Sequence, residues 1–170
     1  MKSLMPYALL FIAGVSACAA DETVSVCDAL RRRDALHSKL VAIRGLLLAT
    51  DEGGWLLGRD CGEAIIINGR AFRSAIWLEM SGSSRRAAGV WSPDLDASIK
   101  KINLEIAKRK FDPQRDRLSV TYIGVFEAYD GQDNHALRDG FGHLNAAPAQ
   151  LIVKDIRDAV VEAGPKPPAK

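Results

Sequence analysis

The chain has 170 residues and a formal net charge of +2, with 23 Lys and Arg against 21 Asp and Glu. This length is sufficient for one domain with a proper core. Because acidic and basic residues are interleaved, the composition does not favour nucleic acid or anionic lipid as a partner.

The first twenty residues have the pattern of an export signal. Lys2 is followed by an apolar stretch over Tyr7–Val15 and by small residues within Ser16–Ala20. The apolar stretch is too short to cross a bilayer as a helix. We therefore expect residues 1–20 to be a signal peptide, the alternative being a buried N-terminal helix.

Two cleavage patterns overlap at the end of this segment. The run "VSAC", Val15–Cys18, is similar to the lipobox of bacterial lipoproteins, in which Cys18 would be acylated and become the first residue. Ala17-Cys18-Ala19 also satisfies the small-x-small rule of ordinary signal peptidase. An acyl chain on Cys18 would hold the domain at a membrane surface, and we expect no other membrane contact.

Either form of cleavage leaves Cys27 and Cys61 as an even pair. In an oxidising compartment such a pair forms a disulfide by default, and a bridge closing about 35 residues would stabilise the fold by roughly 3 to 4 kcal/mol. We predict this bridge, the alternative being two separate buried thiols. At the other end, Gly164–Lys170 holds three prolines and two lysines, and we predict that it is disordered.

The first predicted elements are a short helix and a long strand. Ser25 is a typical N-cap with Asp28 three residues later, which predicts a helix over 26–33. Alternating apolar residues predict a strand over Lys39–Ala49, and "DEGG", Asp51–Gly54, predicts a hairpin turn after it.

Two further strands are predicted before the spacing of apolar residues changes from that of a strand to that of a helix. "WLLG" and "AIIING" predict a second strand that is broken around Asp60 and Cys61. "AIWLEM", Ala75–Met80, predicts a third strand after a turn at Asn68-Gly69.

The second half of the chain is predicted to hold one helix and two strands. Ser92 as a cap, followed by apolar residues at helical spacing, predicts an amphipathic helix that ends near Lys110. "RLSVTYIGVFEAY" predicts the fourth strand, and Ala149–Ile156 the last.

This order, with a helix between the third and fourth of five strands, is that of the OB-fold. We therefore predict a mainly β fold, a five-stranded OB-like barrel with an N-terminal helix, as a single domain over residues 21–163. Gly45 and Gly124 lie inside strands and suit the sharp bends of a small barrel. A plain sandwich or an α+β sheet is the structural alternative.

Several segments carry a family resemblance. They are "VCDAL", "SKLVAIRG", "GGWLLGRDC", "IWLEM" and "GFGHLN" leading to "AQLIVKDI". Together with the export signal they resemble a group of uncharacterised bacterial secreted proteins and lipoproteins that are predicted to be OB-like. The resemblance covers nearly the whole mature chain, and it implies a fold and a compartment but no activity.

The common catalytic and metal-binding motifs are missing from the sequence. The serines of "SGSSRR" have no G-x-S-x-G context, so we predict a flexible polar loop there. The run from Asp130 has His135 and Phe141 where a calcium loop needs glycine and glutamate. His135 and His143 have no thiolate to join them in a zinc site. We expect no catalytic residue, metal or cofactor.

Single-stranded nucleic acid is also an unexpected partner, although OB barrels often bind it. Such binding needs a basic groove interleaved with exposed aromatic residues. The aromatic residues here alternate with aliphatic residues in strands, which predicts core or half-core positions for Trp55, Trp77, Phe72, Tyr122 and Phe126.

His143 lies between glycines and the last predicted strand. We expect it to hold this loop by hydrogen bonds to loose backbone groups, so that His143→Ala costs roughly 1 to 3 kcal/mol. The alternatives are contact with a ligand, together with Phe141 and Asn145, and a catalytic or metal-binding role.

Two functions remain open. The first is a non-catalytic binding or interaction module of the envelope. It would present a barrel face and the Asp130–Pro148 loop to an envelope protein, a glycan or a small ligand. The alternative is a periplasmic hydrolase whose active site no motif reveals.

Overall fold

The computed structural model describes residues 22–90, 92, 95–108, 116–131 and 140–163. The predicted signal peptide with Cys18, the predicted tail 164–170 and His135 lie outside this part of the chain. In the described part, no helix combines the length and the apolar character that a membrane crossing requires.

Strands dominate the structure. The strands are β1 Thr23–Ser25, β2 Lys39–Thr50, β3 Gly53–Leu57, β4 Ile65–Ile67, β5 Arg70–Phe72, β6 Ala75–Glu79, β7 Arg117–Ala128 and β8 Ala149–Glu162. The helices are α1 Val26–Arg31, α2 Arg33–Leu36, α3 Gly82–Ala87 and α4 Leu95–Lys108.

Five strands close into a barrel in the order β2-β3-β6-β8-β7, and β7 pairs back onto β2. The β6–β8 pair is parallel, whereas the other four pairs of the barrel are antiparallel. Along the chain, helices α3 and α4 lie between β6 and β7, which are the third and fourth barrel strands in sequence order. This is the OB-like barrel that the order of elements predicted. Strand β1 pairs with β2 outside the barrel.

The barrel interior is filled by the inward residues of each strand. Among the fully buried side chains are Ile43, Leu56, Ile76, Phe126 and Leu151, one from each barrel strand. Burying a side chain of this size stabilises the fold by about 1.5 to 3 kcal/mol. Helix α4 packs against this core through its apolar face, as the helical spacing of its apolar residues predicted.

Glycine is required at one close approach between β7 and β8. The β7–β8 register shifts between Ile123 and Gly124. A Cβ atom at Gly124 would collide with the backbone carbonyl of Ile152 on β8. No side chain fits at Gly124, and the register shift marks an irregularity in the β7–β8 ladder at this point.

Several predicted elements differ in detail from the observed ones. The Ser25 cap is confirmed, since its Oγ accepts a hydrogen bond from Asp28 N at 3.0 Å, but the predicted helix is divided into α1 and α2 at Arg32. The last strand runs to Glu162 and not to Ile156, because it stays paired with β7 to its end.

The prediction of one broken second strand is wrong. Strand β3 ends at Leu57, and Ile65–Ile67 instead pairs with Arg70–Phe72 in a separate hairpin around the predicted Asn68-Gly69 turn. The chain leaves the barrel at Gly58, where a Cβ atom would collide with the sulfur of Cys61. The two apolar runs thus belong to different sheets.

The predicted polar loop at "SGSSRR" is also wrong. This segment forms helix α3, and the Ser81 Oγ atom caps it by accepting a hydrogen bond from Ser84 N at 3.2 Å. Serine is a strong N-cap because its side chain satisfies one of the unpaired amides of the first turn. The same serines that suggest a loop therefore start a helix.

Cys27 and Cys61 form a disulfide, as the cysteine count predicted. It links α1 to the segment that follows β3. Because disulfides persist in oxidising environments, the bridge indicates an extracytoplasmic location.

Candidate functional site

Two tryptophans lie side by side on the outer face of the barrel. Strands β3 and β6 pair with Trp55 opposite Trp77, and their neighbours Leu56 and Ile76 point into the core. Since side chains alternate along a strand, both indoles face outward. Their ring centroids are 4.9 Å apart with planes at 80°. The half-core prediction holds for these two half-buried rings, while Phe72, Tyr122 and Phe126 are core residues.

Two loops close over Trp77. Gly53 follows the β2–β3 turn, and Gly142 lies in the loop before β8. Both have positive φ angles, 143° and 74°, and a Cβ atom on either would collide with the Trp77 indole. Only glycine lets both backbones approach the ring this closely. We call this arrangement of Gly53, Gly142 and Trp77 the glycine clasp.

The residues next to the glycine clasp make a direct side-chain contact. Glu52 precedes Gly53 and His143 follows Gly142, and the His143 Nε2 atom lies 3.2 Å from Oε1 of Glu52. Contacts of the His143 side chain with loose backbone groups of its own loop, which we expected, are not found in the described part of the chain. Glu52 supplies a carboxylate that local sequence spacing could not reveal.

The loop before β8 is held mainly by its backbone. Phe141 and Ala147 exchange backbone hydrogen bonds of 2.9 and 3.1 Å. Arg70 of β5 donates to the Asn145 carbonyl at 3.0 Å. The β4–β5 hairpin therefore supports the loop from outside the barrel.

A polar cleft of about 310 Å³ opens beside Trp77, and we call it the Trp77 cleft. One side is formed by β6 and α3 and the other by the loop and β8. Its lining side chains are those of Trp77, Glu79, Ser84, Phe141, Asn145 and Gln150. The structure thus brings the predicted residues Phe141 and Asn145 into one site, whereas the His143 side chain is directed to Glu52.

Hydrogen bonds hold the polar groups of the Trp77 cleft in place. The Glu79 Oε1 atom accepts a hydrogen bond from Ser81 N at 2.7 Å. The Gln150 side-chain amide donates to Oε2 of Glu127. A ligand would therefore meet polar groups that are already oriented, which reduces the entropy lost on binding.

Sequence reasoning missed Glu52, Glu79, Ser84 and Gln150. Glu79 and Gln150 occupy outward positions in strands whose inward neighbours are core residues, so a polar residue there looks like ordinary solvent exposure. Their convergence depends on the parallel β6–β8 pairing, which joins segments far apart in the chain. The described residues contain no group of three or more His, Cys, Asp or Glu side chains that could hold a metal ion.

No protein-family model, curated protein or solved structure matches this chain. The resemblance to bacterial secreted proteins and lipoproteins therefore stays a prediction. The barrel and the geometry of the Trp77 cleft are the basis for a functional proposal.

Proposed function

We propose that this chain is an exported, non-catalytic binding module that takes a glycan in the Trp77 cleft. The observation that supports this most strongly is the combination, in one cleft, of aromatic rings with carboxylate, amide and hydroxyl groups. The cleft also includes the third barrel strand, β6, and the loop between the fourth and fifth barrel strands, β7 and β8. Both belong to the surface through which OB barrels bind oligosaccharides and oligonucleotides.

The chemistry of the lining favours a sugar. The Trp77 and Phe141 rings add a small apolar surface to a mainly polar lining, and C–H groups of a sugar can lie against it. Glu79 and Gln150 can accept hydrogen bonds from sugar hydroxyls, and Ser84 can donate or accept. A volume of 310 Å³ is at the lower end of the range for ligand sites and fits about one or two sugar rings.

The charge of the site argues against an oligonucleotide. Glu52 lies at the β2–β3 turn, Glu79 lines the cleft and Glu127 holds Gln150. Phosphate groups are bound through Lys and Arg, and carboxylates in the same place repel them. A neutral or basic saccharide suits this surface.

Export is supported by two independent features. The disulfide fits an oxidising compartment, and the first twenty residues have the pattern of a signal peptide. We propose a periplasmic or envelope location, with acylation at Cys18 as the means of attachment. Mass spectrometry of the protein from its host should show an acylated N-terminal cysteine. An unmodified N-terminus at Ala20 or Asp21 would contradict the proposed acyl anchor but not the proposed export.

Calorimetric titration with neutral hexose and N-acetylhexosamine oligosaccharides tests the ligand. We expect saturable binding that weakens about tenfold in Gln150→Leu, because the amide is replaced by an apolar group of similar size. Lys100→Ala, an exposed change on α4, is the control and should bind normally.

Two results would contradict the proposal. A protein partner captured at one-to-one stoichiometry through the same cleft, with no saccharide bound, would overturn the glycan assignment. Saturable turnover in a panel of ester, phosphate and glycoside substrates would overturn the non-catalytic role.

A further inference from the structure

A second cleft, with a different character, lies between α4 and the barrel. Its volume is also about 310 Å³. Helix α4 contributes Ile99, Ile102 and Ile106, and the barrel contributes inward residues that include Leu47 and Val120. We call it the α4 cleft. Its lining differs from that of the Trp77 cleft, so its occupancy does not depend on the function proposed above.

Tyr122 of β7 is the distinctive residue of the α4 cleft. Only 4% of its surface is exposed, and it lines the cleft. Its hydroxyl group has no hydrogen-bond partner among the described residues. By contrast, the hydroxyl of Thr50 on the same cleft accepts from Glu52 N and donates to the Gly53 carbonyl.

The Tyr122 hydroxyl is not among the fully buried polar atoms that lack a partner in the described residues, so it reaches the open space of the cleft. Burial raises the pKa of Tyr122 to about 12. The phenol therefore stays protonated at neutral pH and can donate a hydrogen bond into the cleft.

We propose that the α4 cleft binds an uncharged, mainly apolar molecule with one oxygen acceptor that faces the Tyr122 hydroxyl. No Lys, Arg, Asp or Glu lines the cleft in the described part of the chain, so a charged ligand would be buried without a counter-charge at high cost. At the packing density of protein interiors, the volume fits about ten to fifteen non-hydrogen atoms. Aromatic ketones and short esters have this size and chemistry.

The test uses 2-acetylnaphthalene, which combines an apolar ring system with one ketone oxygen. Titration into the ¹⁵N-labelled protein should give saturable chemical-shift changes in β7 and α4. Tyr122→Phe should weaken this binding about five- to tenfold, the effect of losing one neutral hydrogen bond.

A ligand without oxygen provides the matched control. 2-Ethylnaphthalene should bind wild type and Tyr122→Phe with equal affinity, since it makes no hydrogen bond to the phenol. Ile102→Trp, which fills the cleft, should abolish binding of both ligands, and Ile99→Trp serves the same purpose if the first variant melts early. Lack of saturable binding to wild type would overturn the proposal, as would equal affinities of Tyr122→Phe and wild type for the ketone.

Discussion

The imidazole of His143 and the carboxylate of Glu52 join the two loops that cover Trp77, with 3.2 Å between Nε2 and Oε1. The side chains are 42% and 55% exposed, so water and salt screen their attraction strongly. In the glycine clasp, by contrast, two backbones pack directly against the Trp77 ring. We therefore expect steric fit at the glycines, more than charge, to hold the loops together.

Gly142→Ala should destabilise the protein by about 2 to 4 kcal/mol, since a methyl group adds backbone strain at positive φ and collides with Trp77. Gly89→Ala is the matched control. Gly89 has a similar φ of 67° but nothing within 4 Å of a new Cβ, so we expect a loss of about 1 kcal/mol. Urea unfolding measures both, and equal losses would show that the contact with Trp77 adds nothing.

His143→Ala should cost less than about 1 kcal/mol, because a contact between two exposed side chains contributes little. This is below the 1 to 3 kcal/mol expected for a histidine that satisfies buried backbone groups. A double-mutant cycle with Glu52→Gln separates the contact between the two side chains from any role of His143 in satisfying backbone groups. A coupling energy well above 1 kcal/mol would contradict the exposed-pair description.

Replacing both bridging cysteines, Cys27→Ser with Cys61→Ser, should destabilise the fold by about 3 to 4 kcal/mol through the added entropy of the unfolded chain. Wild type unfolded in urea with a reducing agent should lose nearly the same stability. If the reduced protein kept its full stability, the loop-entropy explanation would be wrong.

Arg85→Met should stabilise the protein by about 1 to 3 kcal/mol. Arg85 is 9% exposed, and its Nε and Nη1 atoms have no hydrogen-bond partner within the described ranges. A buried guanidinium with two unpaired nitrogens is costly, and methionine keeps the apolar length of the side chain. Arg86→Met, on the exposed side of α3, should be nearly neutral; destabilisation confined to Arg85→Met would reveal a partner for the buried charge.

Stability should fall above pH 10 because of Tyr122. Its pKa is about 12 in the folded protein and 10.0 in the unfolded chain, so the unfolded state loses its proton first as the pH rises. The stability that the protonated Tyr122 phenol contributes is complete below pH 10. It is lost as the pH rises through 12, at up to about 1.4 kcal/mol per pH unit. Tyr122→Phe should show a smaller fall between pH 9 and 11 in urea unfolding. Parallel curves for the two proteins would contradict this assignment.

The parts of the fold that were predictable are those set by local pattern. The alternation of apolar residues in β2 and β7 and their helical spacing in α4 depend on neighbours within the same element. The disulfide follows from the even number of cysteines that remain after the predicted export signal. The break after Leu57 was not predictable, because Ile65–Ile67 is equally apolar whether it extends β3 or pairs with β5.

The site was predictable only in part, for the same physical reason. Phe141 and Asn145 belong to a local loop motif, so they could be named in advance. Trp77, Gly53 and Gly142 meet only when the barrel closes, and each has an ordinary local sequence. The open space at the Tyr122 hydroxyl depends on how completely α4 fills the end of the barrel. The spacing of apolar residues predicts that α4 packs there, but it does not predict how much volume the side chains fill.

Barrel closure by the β2–β7 pairing also sets an order of events during folding. Strands that are distant in the chain must find each other before the core is sealed, and such non-local pairing slows folding. The Cys27–Cys61 bridge lies entirely before β6. It can therefore form while β7 and β8 are still emerging, and an early covalent link would keep α1 and β3 together until the last strands arrive.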